Sequence, residues 1–155
     1  MSHCGTGKNT ESLAREELLL LDKQVCFPLY SAANAVVRAY RPLLDALDLT
    51  YAQYLVMMVL WETNGINVKI LGERLHLDSG TLTPLLKRLE NKGIVLRKRG
   101  LSDERVRELF LTDEGFALKQ KALSVPNAML CKFDLELDDL VSLKTLCEKV
   151  IAKLS

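Results

Sequence analysis

The residues Leu75–Arg107, LHLDSGTLTPLLKRLENKGIVLRKRGLSDERVR, decide the fold. Leu77-Asp78-Ser79 reads as a turn, and Gly80 to Asn91 as a helix that Gly93 stops. A short helix over Val68–Leu75 precedes that turn. Leu71, Leu75, Leu77, Leu82 and Leu85 fall where two such helices must pack on one another, and Gly72 is small where they approach closely. The second helix opens with Ser79, Gly80, Thr81 and Thr83, presenting hydroxyls from its first turns. A strand at Ile94-Val95-Leu96, a basic loop from Arg97 to Glu104 and an alternating strand over Val106–Leu111 follow at once. Helix, turn, helix and charged hairpin in that order predict a mainly α fold with a small β-hairpin wing, a winged helix-turn-helix.

Charge supports a nucleic-acid partner only locally. The net charge of +1 points nowhere, but from Lys87 to Arg107 eight basic residues stand against three acidic ones. That asymmetry is a footprint for phosphate. Lys87 and Arg88 extend the face begun by Ser79, Thr81 and Thr83, and Arg97, Lys98 and Arg99 read as sequence-neutral, salt-dependent phosphate clamps.

Working outward, Leu18, Leu21, Val25, Leu29, Ala32, Val36 and Tyr40 follow helical spacing. Pro28 should start or kink that helix, leaving Cys26 at or just before an N-terminus, and Pro42 should end it near Arg41. Thr50 is a candidate cap for an apolar helix over Tyr51–Trp61, closed by Asn64-Gly65. Thr112-Asp113-Glu114 starts another helix toward Leu123, before Pro126, and Leu137, Leu140, Val141, Cys147, Val150, Ile151 and Leu154 mark a last long one. A small winged domain needs nothing so long at both ends. We therefore expect one domain over 1–155: a loose arm at 1–15, dimerisation helices at 16–48 and 112–155, and the DNA-binding region at 50–111. A two-fold dimer would set two recognition helices about 34 Å apart, one duplex turn.

At 155 residues the chain can bury a core without disulfide staples. Its start lacks a signal pattern, no apolar run approaches the roughly 18 residues of a membrane span, and the cytoplasm is the expected address. Cys4, Cys26, Cys131 and Cys147 lie far apart, and His3 and His76 have no partner at ligand spacing, so neither a metal site nor a cofactor is expected. Cys147 reads as packing and Cys4 as inert.

Over almost its whole length the chain resembles the MarR-class repressors that sense organic hydroperoxides. The resemblance rests on VCFPLYSA (25–32), YRPLLDALDLTYAQYLVMMVLWE (40–62), LDSGTLTPLLKRLENKGIV (77–95) and the wing residues Asp103-Glu104-Arg105. Ala52 departs from the proline common in that class. The resemblance implies a homodimeric repressor of palindromic operator DNA, not an enzyme, released when an organic hydroperoxide oxidises a cysteine near the N-terminus. Position by position, it implies that Cys26 is that cysteine and that Tyr40 and Tyr51 contact its sulfur. It also implies that Cys131 is the resolving thiol of the two-cysteine branch. Arg105 matches the wing-tip arginine expected in the minor groove, with Asp103 placed to brace it.

The residues suit that chemistry. Thiolate is the nucleophile toward an O–O bond, and a helix N-terminus with hydroxyl donors favours the anion. Phe27, Leu29, Tyr40, Tyr51 and Tyr54 would supply an apolar wall that favours alkyl hydroperoxides. Sulfenic acid at Cys26 would then condense with Cys131, joining the subunits. Two other functions use the same residues: a repressor of this fold governed by a phenolic ligand, and a thiol peroxidase.

Overall fold

The structure, a computed structural model, describes residues 16–155; the expected arm over 1–15, with His3 and Cys4, lies outside them. The chain divides into two compact units, one ending at Arg38 and one running Ala39–Ser155. Among the described residues no helix is long and apolar enough to cross a membrane.

The helical spacing seen from Leu18 onward does not become one helix. Two short 3-10 turns, Glu17–Leu19 and Leu21–Lys23, come first, and α1 then runs Cys26–Asp45. Proline explains the late start. In a helix begun earlier, Pro28 would have to donate an N–H to Gln24, whereas as the third residue of α1 it needs no intrahelical acceptor. The expected end at Pro42 is also corrected, since Pro42 lies inside α1. An interior proline costs about 3 kcal/mol. Leu44, Leu47 and Leu49, all buried beyond it, gain about 1.5–3 kcal/mol each and outweigh that cost. The bond that Pro42 cannot donate would have gone to Arg38, where the first unit ends.

In the second unit α2, Tyr51–Glu62, begins with a reciprocal capping box. The Gln53 N–H donates to Thr50 Oγ1 (3.3 Å) and the Thr50 N–H to Gln53 Oε1 (3.1 Å). Helix α3, Val68–Leu75, closes on His76 in the left-handed region (φ 54°), and the Leu77 N–H reaches back to the Gly72 carbonyl at 2.9 Å. Gly72 is required by proximity: a Cβ there would stand 3.0 Å from the Leu77 carbonyl oxygen and 3.3 Å from Leu82. Helix α4, Ser79–Asn91, starts one residue before the expected Gly80 because Asp78 caps it, accepting the Thr81 N–H at 2.8 Å. Leu82, Leu85, Leu86 and Leu89 bury its inner side.

The hairpin is part of a three-stranded antiparallel sheet. A two-residue strand, β1 (Ile66–Asn67), joins β2 (Val95–Arg99) and β3 (Arg107–Leu111) in the order β1-β3-β2. Two residues are too short to leave an alternating pattern in sequence. Arg97, Lys98 and Arg99, expected in the loop, are strand residues paired with Leu109, Glu108 and Arg107.

Helix α5, Asp113–Ala122, is capped by Thr112, whose hydroxyl accepts the Gly115 N–H and donates to the Gly93 carbonyl. Beyond it a further helix, α6 (Val125–Phe133), was not expected. Pro126 falls in its first turn, where no N–H is needed, so it opens a helix where it was expected to mark a break. Helix α7, Leu137–Leu154, buries none of its residues within the chain.

Gly115 is where α5 meets the base of the wing. A Cβ there would lie 2.1 Å from the Ile94 carbonyl oxygen, a backbone atom. Gly115→Ala should therefore lower stability by about 1–3 kcal/mol, the cost of overpacking. Urea unfolding measures it, and an unchanged midpoint would contradict the close approach.

Candidate functional site

The outer side of α4 is the reading face. Ser79, Gly80, Thr81, Thr83, Lys87 and Arg88 are all exposed there, opposite the four buried leucines. Ser79 and Thr83 line a cavity of about 690 Å³ with Val68, Lys69 and His76 of the α3 side. The helix is fixed at both ends. Asp78 caps the first turn, and at the last Lys92 Nζ donates to the Asp48 carbonyl and, at 3.1 Å, to Gln53 Oε1. Gln53 is a buried polar residue (3% exposed), and these contacts satisfy it.

On the wing the expected clamps take different roles. Strand side chains alternate, so Arg97 and Arg99 share one face and Lys98 takes the other. Arg97 pairs with Glu90 of α4 at 2.8 Å, and Lys98 lies over the Phe110 ring, 5.1 Å from its centroid. Arg99 stands opposite Arg107, a residue the sequence reading counted only as charge; the signal that finds it is the cross-strand register. In the loop, Asp103 Oδ1 accepts the backbone N–H of Arg105 at 2.9 Å. The brace expected between them thus acts on the Arg105 backbone. The Val106 N–H to the Asp103 carbonyl (3.1 Å) and the Gly100 N–H to the Val106 carbonyl (2.8 Å) complete the loop that presents Arg105.

The proposed sensor residues fall in both units. Cys26, the first residue of α1, and Phe27 are exposed in the first. Cys131, on α6 in the second, is also exposed, and the neighbouring Lys132 Nζ donates to the Ala39 carbonyl at 3.1 Å. Cys147 on α7 is half-buried. Tyr40 and Tyr51 are brought together, ring centroids 4.7 Å apart, with Tyr54 at 5.8 and 6.5 Å from them. Tyr54 meets Trp61 edge-on at 6.5 Å, and the Trp61 indole N–H donates to the Gly115 carbonyl at 2.9 Å. Sequence spacing gave no sign of this last bond.

Burial pushes the hydroxyls of Tyr40, Tyr51 and Tyr54 above the ordinary 10.0, and mutual repulsion of the anions adds to it for Tyr40 and Tyr54. All three are therefore neutral hydrogen-bond donors at physiological pH. Because the folded values lie above the unfolded one, the unfolded chain ionises first as pH rises. The stabilisation is complete below the unfolded value near 10 and is lost as pH climbs through the folded values. Stability should thus fall with pH above about 10, with a shallower slope in Tyr54→Phe. Denaturant titrations across that range test it, and identical slopes would contradict the shared burial.

The comparisons with known proteins agree with this architecture. The family model of the SarA/Rot transcriptional regulators matches residues 38–122. The organic hydroperoxide resistance transcriptional regulator of Bacillus subtilis (strain 168) is 46% identical over 125 residues, covering 81% of this chain and 85% of that protein. Among solved structures, reduced AbfR bound to DNA, a Staphylococcus epidermidis protein, superposes with a TM-score of 0.75 at 34% identity, covering 91% of this chain and 96% of that one. The disulfide form of AbfR superposes at 0.58 with the same identity, covering 90% and 92%. The chain belongs to the winged-helix transcriptional regulators of the MarR-like class, in the family of the SarA/Rot and organic hydroperoxide resistance regulators.

Proposed function

We propose that this chain is a redox-sensing repressor that binds palindromic operator DNA as a homodimer and lets go when an organic hydroperoxide oxidises Cys26. The observation that carries the reading is an exposed cysteine opening α1 in a chain 46% identical to an organic hydroperoxide resistance regulator. AbfR, which has been solved both reduced on DNA and as a disulfide, supports coupling of thiol state to DNA binding. The hydroxyls and cations of α4 suit a major groove, and Arg105 at the tip of its braced loop suits the neighbouring minor groove.

Dimerisation is supported by apolar surface that the single chain leaves uncovered. Leu137, Val141, Leu146 and Ile151 are all exposed along α7. A contiguous face of this kind marks an interface, and a second copy of the chain is the partner that would cover it.

The chemistry runs in two steps. The Cys26 thiolate attacks one peroxide oxygen, the O–O bond breaks, and the alcohol leaves after taking a proton. Cys26 becomes a sulfenic acid while the hydroperoxide is reduced. The thiol of Cys131 of the partner subunit then attacks the Cys26 sulfur, water leaves, and an inter-subunit disulfide forms. Tyr40 and Tyr51, protonated donors beside one another, are suited to hydrogen-bond the thiolate and the departing oxygen. Closing the disulfide requires Cα atoms roughly 4.4–6.8 Å apart. In this reading, meeting that requirement alters the half-site spacing and releases both half-sites together.

One equivalent of an organic hydroperoxide should convert the wild type to a dimer-sized band on a non-reducing gel and abolish operator retention. Cys26→Ser should do neither while binding DNA normally. Release by Cys26→Ser would favour a bound-ligand signal instead, and release with only monomer-sized protein would remove the inter-subunit bond. Arg105→Ala should weaken operator binding about tenfold, one lost groove contact, with Cys26 oxidising at the wild-type rate. Equal affinities at moderate salt would exclude Arg105 from the interface.

A further inference from the structure

The register of β2 on β3 pairs Arg99 directly with Arg107 at the outer end of the wing. Like charges opposite one another in an antiparallel pair destabilise it. Both side chains are exposed, and among the described residues neither forms an ion pair with a carboxylate. The face they occupy follows from the alternation of strand residues. Val95 and Arg97 are on the Arg99 side of β2, and Leu109 and Leu111 on the Arg107 side of β3. Val95, Leu109 and Leu111 enter the core, and Arg97 reaches Glu90 of α4. Arg99 and Arg107 are therefore on the wing face turned toward α4. Glu90 neutralises Arg97, whereas the next cross-strand pair outward is left doubly positive. Lys98 and Glu108, paired across the same strands, lie on the opposite face and do not compensate it.

We propose that Arg99 and Arg107 together hold one backbone phosphate of duplex DNA between the wing and α4. The proposal rests on the DNA-binding reading above and adds Arg107 to the interface as half of a two-guanidinium cradle. A phosphate oxygen pair accepts from planar guanidinium forks on two sides, and its negative charge turns the repulsion between the arginines into shared attraction. The position fits the path of a duplex. With α4 in the major groove and the wing tip at the minor groove, the backbone separating the grooves passes between those elements. The contact carries no sequence information; it fixes register and raises affinity for any duplex.

This cradle has a signature that a structural arginine lacks: removing one partner stabilises the free protein and weakens the complex. The experiment uses the full chain with a mixed-sequence duplex of about 30 base pairs, roughly three helical turns. Binding is measured by fluorescence anisotropy across a salt series, and thermal unfolding without DNA. Arg107→Ala should flatten the dependence of log K on log salt by about 0.9 per lost contact, hence about twice that per dimer. It should also raise Tm by about 1–4 °C through relief of the like-charge pair. Arg99→Ala should behave alike, and Arg107→Lys should keep most of the salt dependence. An unchanged salt slope in Arg107→Ala, beside a clear loss in Arg105→Ala, would overturn the cradle and leave the repressor reading standing. A fall in both Tm and affinity would also overturn it, as the mark of a structural role. If Arg105→Ala and Arg107→Ala both bind like wild type, the wing does not meet DNA and both readings fall.

Discussion

Leu82, Leu85, Leu86 and Leu89 hold one side of α4 in the core, and the same burial turns the side bearing Ser79, Thr81, Thr83, Lys87 and Arg88 outward. A rotation of α4 by one residue, about 100°, would exchange leucine for hydroxyl and cation at the surface, so the reading face is fixed by hydrophobic burial. Its ends are fixed by polar contacts. Asp78 supplies the missing acceptor at the start, and Lys92 ties the end to Asp48 and to Gln53, itself part of the α2 capping box. A helix restrained along its length and at both ends can present groove contacts with little ordering left for the moment of binding.

The basic residues that give the 87–107 stretch its charge are not equivalent. Glu90 holds Arg97, Phe110 lies under Lys98, and Lys92 serves the α2 cap. Arg99, Arg107 and the groove-facing residues of α4 are left for a partner. A sum over the stretch therefore overstates how much positive charge is available to a ligand. An arginine pair left facing itself indicates more about function than several cations scattered singly, because the fold tolerates its repulsion.

Much of this could be read from the sequence because local signals and burial agreed. The helix–turn–helix pair, the Thr50 cap and the close approach at Gly72 were each announced by residue type and spacing, and each formed. Proline misled in both directions. Pro42 was overridden by the leucines that follow it, and Pro126 began a helix because its position within the first turn, invisible in sequence, decides whether it costs a hydrogen bond. Strand β1 was too short to alternate. The pairing of Arg99 with Arg107 and the bond from Trp61 to Gly115 were out of reach for another reason: both depend on which distant segments meet, and no local pattern encodes that.

Trp61 is the only tryptophan in the chain. Its ring edge meets Tyr54 of the tyrosine cluster, and its N–H is held by the first turn of α5, where Gly115 abuts the strand that leads into the wing. The molecule thus has one intrinsic fluorophore, and it sits between the tyrosines and the base of the wing. Its emission senses both the polarity around the indole and the integrity of one specific hydrogen bond. A rearrangement that began at the tyrosines and reached the wing by this route would be visible in the unlabelled protein, without DNA present and in real time.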